Sequence, residues 1–590
     1  MPSVSRLFSA AVEAHGARPA LLSPYGDLSY RGLDDRVSAL ADALSAGPVR
    51  TGDVVAVEQS PHPDSVAALL AVLRTGGVVL PLDPLLPDAR RAAVLEAGRA
   101  AGLVTAEGVT QPLPYAAPPG ETADATGRGD AAYVTFTSGS TGTPRGILGR
   151  GAGLAHFVQW QRDTFGIGPG DRVGQLTSWA FDVALRDILT PLVSGAALCL
   201  PESRSLDPDR VREFLSRRAV TVLHTVPSLA RRWLAAPNAA GRNADGPKPT
   251  DRGAAGPAPT GLRLTFFAGE QLHGELVREW RAQLAPRGRV VNLYGPSETT
   301  LAKFWYEVPA EPAPGPQPVG RALPGTRAAL SPGGEVVIRT PYRSYGYLDG
   351  TEAFRPRRPG DPDDLLHPTG DLGRFDEDGT LHLLGRIDDQ VKVRGVRIAL
   401  REVERVLESV PGVLQAGVVG VRDDRGGLLL VGHVQVGAPG DGADGGPAAP
   451  VTRDALRRAV GGRLPAAAVP AVLNLVTDGL PLLPSGKLDR VRLRALTGVP
   501  SCAASRARAG GSTDRVTEVC EHVLGFSPLA PDDDLFERGA DSLLALEIAA
   551  RLEDVLGSPV PPGLLFEAPT IAEITERLAV PSPARSAGAP

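Results

Sequence analysis

Along the first 385 or so residues, short apolar runs alternate with stretches whose apolar positions recur every three or four residues. The runs include "VVAVE" (54–58), "GVVLPL" (77–82), "AYVTFT" (132–137), "ALCLP" (197–201) and "VVNLYG" (290–295). Runs of this length predict buried strands. The intervening "RVSALADALSA" (36–46) and "DSVAALLAVLR" (64–74) carry the 3.6-residue period of amphipathic helices. Strand–helix alternation predicts α/β layers. A smaller α/β segment follows, and from residue 512 the pattern becomes wholly helical. There "TDRVTEVCEHVLG" and "DSLLALEIAARLEDVLG" flank the polar loop "PDDDLFERGA".

Three stretches break the pattern. "AAPNAAGRNADGPKPTDRGAAGPAPTG" (235–261), "GAPGDGADGGPAAP" (437–450) and "GVPSCAASRARAGG" (498–511) are rich in Pro, Gly and Ala. They hold too few large apolar groups to offset the entropy of ordering them. The first is expected to be a disordered surface insertion and the third an interdomain linker. The tail 581–590 is expected to be loose. No repeat of fixed period is present.

Composition narrows the classes. The chain has 590 residues, is 42% hydrophobic and carries a formal charge of −5. It therefore has room for several cores and no broad basic surface for nucleic acid. Cys199, Cys502 and Cys520 form no CxxC pair, so neither a disulfide framework nor a thiolate metal site is expected. No apolar run reaches membrane-spanning length and the N-terminus lacks an export signal, which predicts a cytoplasmic protein without a membrane partner. Of 62 basic side chains only four are lysine: Lys248, Lys303, Lys392 and Lys487. Where arginine fills nearly every cationic position, a retained lysine marks a place that calls for a compact ammonium.

The strand "AYVTFT" runs into "TSGSTGTPRG" (137–146). Thr137, Ser138, Gly139, Ser140, Thr141, Gly142 and Thr143 gather backbone N–H groups and hydroxyls, both suited to oxyanions. Read alone, the segment fits a flexible turn equally well. It is not a Walker loop, because Thr143 and Arg145 stand where lysine would be expected.

This loop resembles the nucleotide-binding signature of adenylate-forming enzymes, specifically the adenylation domains of nonribosomal peptide synthetases. Further motifs of that family follow in order: "LSYRGLDDRVSALADAL" (28–44), "VLRTGGVVLPLDPLLPDAR" (72–90), "NLYGPSETT" (292–300) and "GEVVIRTPYRSYGYLDG" (334–350). "HPTGDLGRFDEDG" (367–379), "GRIDDQVKVRGVRI" (385–398) and "PLLPSGKLDR" (481–490) complete the set. The segment "DDDLFERGADSLLALEIAARL" resembles the phosphopantetheine attachment site of carrier proteins.

The resemblance implies a large layered α/β subdomain over 1–387, a small mobile α/β subdomain over 388–497, the linker 498–511 and an all-α four-helix carrier domain over 512–580. It implies ATP, Mg²⁺ and 4'-phosphopantetheine as cofactors. In the nucleotide site, Asp371 would accept from the ribose hydroxyls, Arg386 would bring charge to the ribose-phosphate region, Tyr294 would face adenine and Glu298 would contact Mg²⁺. Read without the resemblance, Asp371 fits an Asx-turn and Glu298 a solvated carboxylate. With the loop, Arg145 would manage the β and γ oxygens. Lys487 would meet the carboxylate and the ribose-phosphate junction as the catalytic ammonium, with Asp388 as the hinge that brings it in. The departure "RIALRE" bears on the packing of the small subdomain.

For the substrate, the resemblance implies Asp182 against the α-ammonium of an amino acid. Val183, Arg186, Thr225, Phe266, Ala268, Leu293, Leu301 and Ala302 would line the pocket. Most are apolar and middling in size, favouring a small or medium aliphatic or imino acid. Arg186 is the exception: facing inward it would welcome an acidic side chain, facing outward it would pair with Asp187. Ser542 would carry the phosphopantetheine at the start of a helix whose Leu544, Ile548 and Leu552 share one face; Asp541 reads equally as an N-cap.

The expected activity is adenylation of an amino acid followed by thioester loading on the chain's own carrier domain, in nonribosomal peptide or related natural-product biosynthesis. Expected partners are a phosphopantetheinyl transferase, downstream condensation or tailoring enzymes and an MbtH-like protein of the kind some relatives require. No HHxxxD or GxSxG signature for condensation or release is present. Two alternatives stay open at this level: an acyl-CoA or aryl-acid ligase, and a non-catalytic carrier scaffold with a degenerate adenylation half.

Overall fold

The computed structural model describes residues 3–47, 49–84, 86, 88–105, 110–115, 129–137, 145–178, 181–202, 207–235, 261–357, 364–387, 390–393, 396–422, 428–436, 451–477, 479–481, 488–496, 512–524, 529–533, 535, 542–556, 560, 564–565 and 568–579. The chain forms two compact units, one built from residues up to Arg397 and one from Ile398 onward.

In the first unit the apolar runs of the sequence become the centres of two large sheets. Val78–Leu82 lies parallel to both Val54–Glu58 and Ala131–Thr137 in a seven-stranded sheet. A nine-stranded sheet places Arg172–Gly174, Val222–Thr225, Leu264–Ala268 and Arg289–Tyr294 side by side and parallel. Strands buried on both faces are apolar at consecutive positions, which is why these segments read as runs and not as alternations. Helices fill the space beside them. Pro63–Arg74 buries nearly its whole length, and its neighbour Tyr30–Ala46 starts where the Ser29 hydroxyl accepts from Gly32 N at 3.1 Å. One core joins strand residues of both sheets to the helices Gly151–Phe165 and Val183–Leu192.

A third, five-stranded sheet carries the "TGD" motif. Its long strand Leu365–Phe375 pairs antiparallel with Glu335–Arg339 and with Leu381–Arg386, and the register sets Asp371 opposite Arg386. Residues fifteen apart in sequence are thus cross-strand neighbours.

In the second unit Val413–Arg422 and Leu428–Val436 form an antiparallel pair, with Val472–Val476 added parallel to the latter. The helix Leu400–Glu408, which contains the unusual "ALREVE", packs on this sheet through Leu400, Val403 and Leu407. Glu404 is buried there because Arg490 Nη1 donates to it at 2.6 Å and Val418 N at 2.9 Å. A buried carboxylate needs such partners, and with them the departure in sequence leaves the packing whole. Among the described residues the C-terminal region contributes the helices Ser512–Leu524, Ser542–Leu556 and Ile571–Ala579, which share a core of Val516, Cys520, Ile548, Leu552, Ile571 and Ile574. Ile548 and Leu552 thus lie on the apolar face expected from the sequence; the side chain of Leu544 is outside the described set. The segments 236–260, 437–450 and 497–511, and residues 580–590, are also outside it.

Candidate active site

Three of the expected nucleotide residues meet at one place. Tyr294, at the end of its strand, donates its hydroxyl to Asp371 Oδ2 at 2.6 Å, and Arg386 Nη1 donates to Oδ1 at 2.6 Å. The turn before Asp371 depends on Gly370 at φ +72°, a conformation that costs a side chain about 1 kcal/mol or more. Burial, reinforced by the Asp371 carboxylate, pushes the Tyr294 phenol well above its ordinary range, so it stays a donor. The Tyr294 contact seen here is therefore through its hydroxyl, beyond the ring face expected from the sequence.

Glu298 sits on the short helix Ser297–Thr299 and is 2% exposed, which removes the solvated reading. Tyr347 donates its hydroxyl to Oε1 at 2.5 Å, and His367 Nε2 is 4.0 Å from Oε2. Among the described residues no group of three or more His, Cys, Asp or Glu side chains could hold a metal. One buried hard carboxylate fits Mg²⁺ bound mainly through the phosphates of a nucleotide. Arg145, at the end of the phosphate loop, stands over the Tyr347 ring at 5.0 Å. Its Nε is 3.2 Å from Asp349 and its Nη2 donates to Thr351 at 2.8 Å. Its charge is thus met by the "YLDG" turn, whereas the sequence reading gave it to phosphate.

Asp182 precedes the helix Val183–Leu192 and is 6% exposed. Burial raises its carboxyl; Ser297 and the Arg186 guanidinium act to lower it, while the Glu298 carboxylate raises it further. A cation delivered beside it would restore its ionisation. Val183, Phe266, Ala268, Leu293, Leu301 and Ala302 all belong to or pack against the same core. The register divides the strand residues between two faces. Phe266 is paired with His224 and Val291, and Ala268 with Leu293. Thr225 is paired with Phe267, whose ring meets Trp280. Because side chains alternate along a strand, the structure places Thr225 on the face opposite Phe266, Ala268 and Leu293. His224 lies on the face of Phe266, stacked on it at 4.7 Å. A shift of one residue changes faces, and only the register reveals which face each residue takes.

Lys303, one of the four lysines, is fully buried beside these residues. Its Nζ donates to Thr300 O at 2.5 Å and so ties down a turn in which Thr300 (φ +65°) and Leu301 (φ +57°) are both left-handed. Gly295 allows the turn: a Cβ there would lie 2.4 Å from Leu301 O. The sequence reading gave Lys303 no role, though its rarity as a lysine was the available signal. Burial lowers its ammonium to about 7, against the pull of Asp182. Below that pH the folded state carries the full cost of a buried charge; above it the cost falls away until the free value near 10.5 is reached, so this group makes the protein more stable as pH rises. The melting temperature of Lys303→Met minus that of wild type is expected to be more positive at pH 6 than at pH 9, whatever the loss of the Thr300 contact costs at both, as calorimetry at the two pH values would show.

Ser138 to Thr143, Asp388 and Lys487 lie outside the described residues, as does the Thr137 side chain. Ser542 is the first residue of its helix, an N-terminal position that favours a phosphodiester.

Residues 8–348 match the family model described as AMP-binding enzyme, residues 402–487 that of the AMP-binding enzyme C-terminal domain, and residues 514–578 that of the phosphopantetheine attachment site. The chain is 34% identical to an isonitrile lipopeptide synthase of Streptomyces coeruleorubidus over 93% of its own length and 38% of that protein. It is 31% identical to enterobactin synthase component F of Escherichia coli (strain K12) over 94% of its length and 44% of that protein. It spans less than half the length of these curated relatives. A solved structure of holo-PA1221, a nonribosomal peptide synthetase protein containing adenylation and carrier domains, superposes with a TM-score of 0.72 at 25% identity, covering 98% of this chain and 96% of that one. Matched over more than half of its length by the first of these models, the chain belongs to the AMP-binding enzyme family, with that family's C-terminal domain and a phosphopantetheine attachment site in the same polypeptide.

Proposed function

We propose that this protein activates an amino acid with ATP as an aminoacyl adenylate and loads it on its own carrier domain, in nonribosomal peptide or related biosynthesis. The observation that carries the reading is Asp182, a buried carboxylate amid apolar pocket residues. Ser297, Arg186 and Lys303 act on it from the protein side; a buried carboxylate calls for close charge pairing, and an α-ammonium would supply it. Fatty and aryl acids bring none.

In the first step a carboxylate oxygen of the substrate attacks the α-phosphorus and pyrophosphate leaves with the electrons of the broken P–O bond. Asp371, steadied by Tyr294 and Arg386, holds the ribose, and Lys487 offsets the charge gathered where two anions join. Glu298 would hold Mg²⁺, whose chemistry is to neutralise the phosphates. Ser542 would hold the phosphopantetheine, whose chemistry is to offer a thiol to the acyl group of the adenylate. The Asp388 hinge would allow the two steps to share one site. A phosphopantetheinyl transferase must attach the arm, and downstream condensation or tailoring enzymes must take the product.

Pyrophosphate exchange with amino, aryl and fatty acids tests this reading. Exchange confined to amino acids supports it; exchange driven by an aryl or fatty acid assigns the chain to the acyl-ligase alternative, and no acid-dependent AMP formation at all would leave the scaffold reading. A second expectation concerns Asp371→Asn. Losing the charge that both Tyr294 and Arg386 address should raise the KM for ATP by about tenfold or more, since hydrogen bonds to charged groups contribute about 1.5–3 kcal/mol. The KM for the amino acid should move little, which steady-state kinetics would separate.

A further inference from the structure

One turn beyond Asp182, about 6 Å along the helix axis, Arg186 is 3% exposed. Its Nε donates to Asp187 Oδ1 at 3.2 Å, and among the described residues its two terminal nitrogens take no hydrogen bond. A guanidinium has five donors in a planar fork, and here only Nε has an acceptor among the described residues. The Nε edge faces a buried polar cluster. His224 Nδ1 lies 3.2 Å from Asp187 Oδ1, its Nε2 is 2.8 Å from Gln161 Nε2, and Thr190 donates to Gln161 Oε1 at 2.9 Å. Burial, helped by Arg186, keeps His224 neutral. Asp187 is therefore fixed on the Nε side, and the Nη edge is the one left for a ligand.

We propose that Arg186 recognises a side-chain carboxylate, so that the amino acid taken by this protein is acidic. This rests on the adenylation reading and goes beyond it, choosing between the two substrate classes that the pocket composition left open. With the α-ammonium at Asp182, the side chain of the substrate extends along the pocket face of the same helix. A carboxylate there accepts both Nη–H donors in parallel, the strongest pairing open to arginine. An aliphatic side chain would seal that edge without acceptors. An amide would set its own N–H group against one of the donors. Asp187 and His224 act as positioning residues for the guanidinium, and Phe266 fixes the plane of the imidazole.

The test is pyrophosphate exchange by the full chain with aspartate, glutamate, asparagine, glutamine, valine, leucine and proline. One acid should exceed the amide of its own length by about 100-fold or more, as expected where a site's buried donors lose their acceptor. Arg186→Met should abolish that preference, and Arg186→Lys should restore part of it. Binding gives a readout independent of turnover. The non-hydrolysable aspartyl or glutamyl sulfamoyl adenosine should raise the melting temperature of the wild type more than its amide counterpart does, and raise both equally in Arg186→Met. If the methionine variant does not fold, the lysine variant and the wild-type preference still decide. Exchange led by valine, leucine or proline would overturn the Arg186 assignment while the adenylation reading stands. No exchange with any amino acid and no stabilisation by any analogue would overturn both.

Discussion

Replacing Ser542 by alanine is expected to abolish covalent loading completely while leaving amino-acid-dependent pyrophosphate exchange within about twofold of wild type. Alanine has no oxygen on which a phosphodiester can form, so the loss is chemical and independent of folding. The exchange reaction as proposed would draw on Asp182, Asp371, Arg386 and Lys487, none of which belongs to the carrier helices. Intact-mass spectrometry after treatment with a phosphopantetheinyl transferase would check it. An aminoacyl adduct surviving in Ser542→Ala would move the attachment point elsewhere, and a parallel loss of exchange would mean that the two activities are not separable as proposed.

For Lys487→Ala the expectation is a fall of about 10²–10³-fold in pyrophosphate exchange, the range seen when one positioned transition-state donor is removed. Transfer of the acyl group from a supplied aminoacyl adenylate to the holo carrier should stay within a few-fold. The asymmetry has a physical cause. Adenylation brings a carboxylate against a polyphosphate, so an ammionium-sized charge lowers the barrier; thioester formation starts from a mixed anhydride with AMP already a good leaving group. Lys487→Arg should rescue poorly, because a planar guanidinium does not replace a compact point charge. Equal loss of both steps would refute the assignment of Lys487 to adenylation.

Lys487 and Lys303 also show how far residue scarcity can be read. With four lysines among 62 basic residues, both stood out before any coordinates. Motif order gave Lys487 a role at once. Lys303 had no motif of its own, and its role in tying down the left-handed Thr300–Leu301 turn depends on a carbonyl whose direction is set by the fold. Arg145 shows the reverse case. Its place at the end of a phosphate-type loop gave it a phosphate role, yet strand pairing between Arg145–Arg150 and Gly346–Tyr347 brings it to Asp349 and the Tyr347 ring.

What the sequence by itself determined is the part written in local pattern: the alternation that builds α/β layers, the change to a helical unit after residue 512, and the ordered motifs that carry Tyr294, Glu298, Asp371 and Arg386. Hydrophobic period and short motifs reflect interactions between near neighbours in the chain, so they are readable without coordinates. Only the tertiary structure decided which residues share a strand face, setting His224 beside Phe266 and Thr225 on the opposite side, and which edge of Arg186 is already taken by Asp187. Those choices follow from the registry of strands about forty residues apart and from packing between distant segments, where a shift of one residue reverses every side chain and leaves the local pattern unchanged.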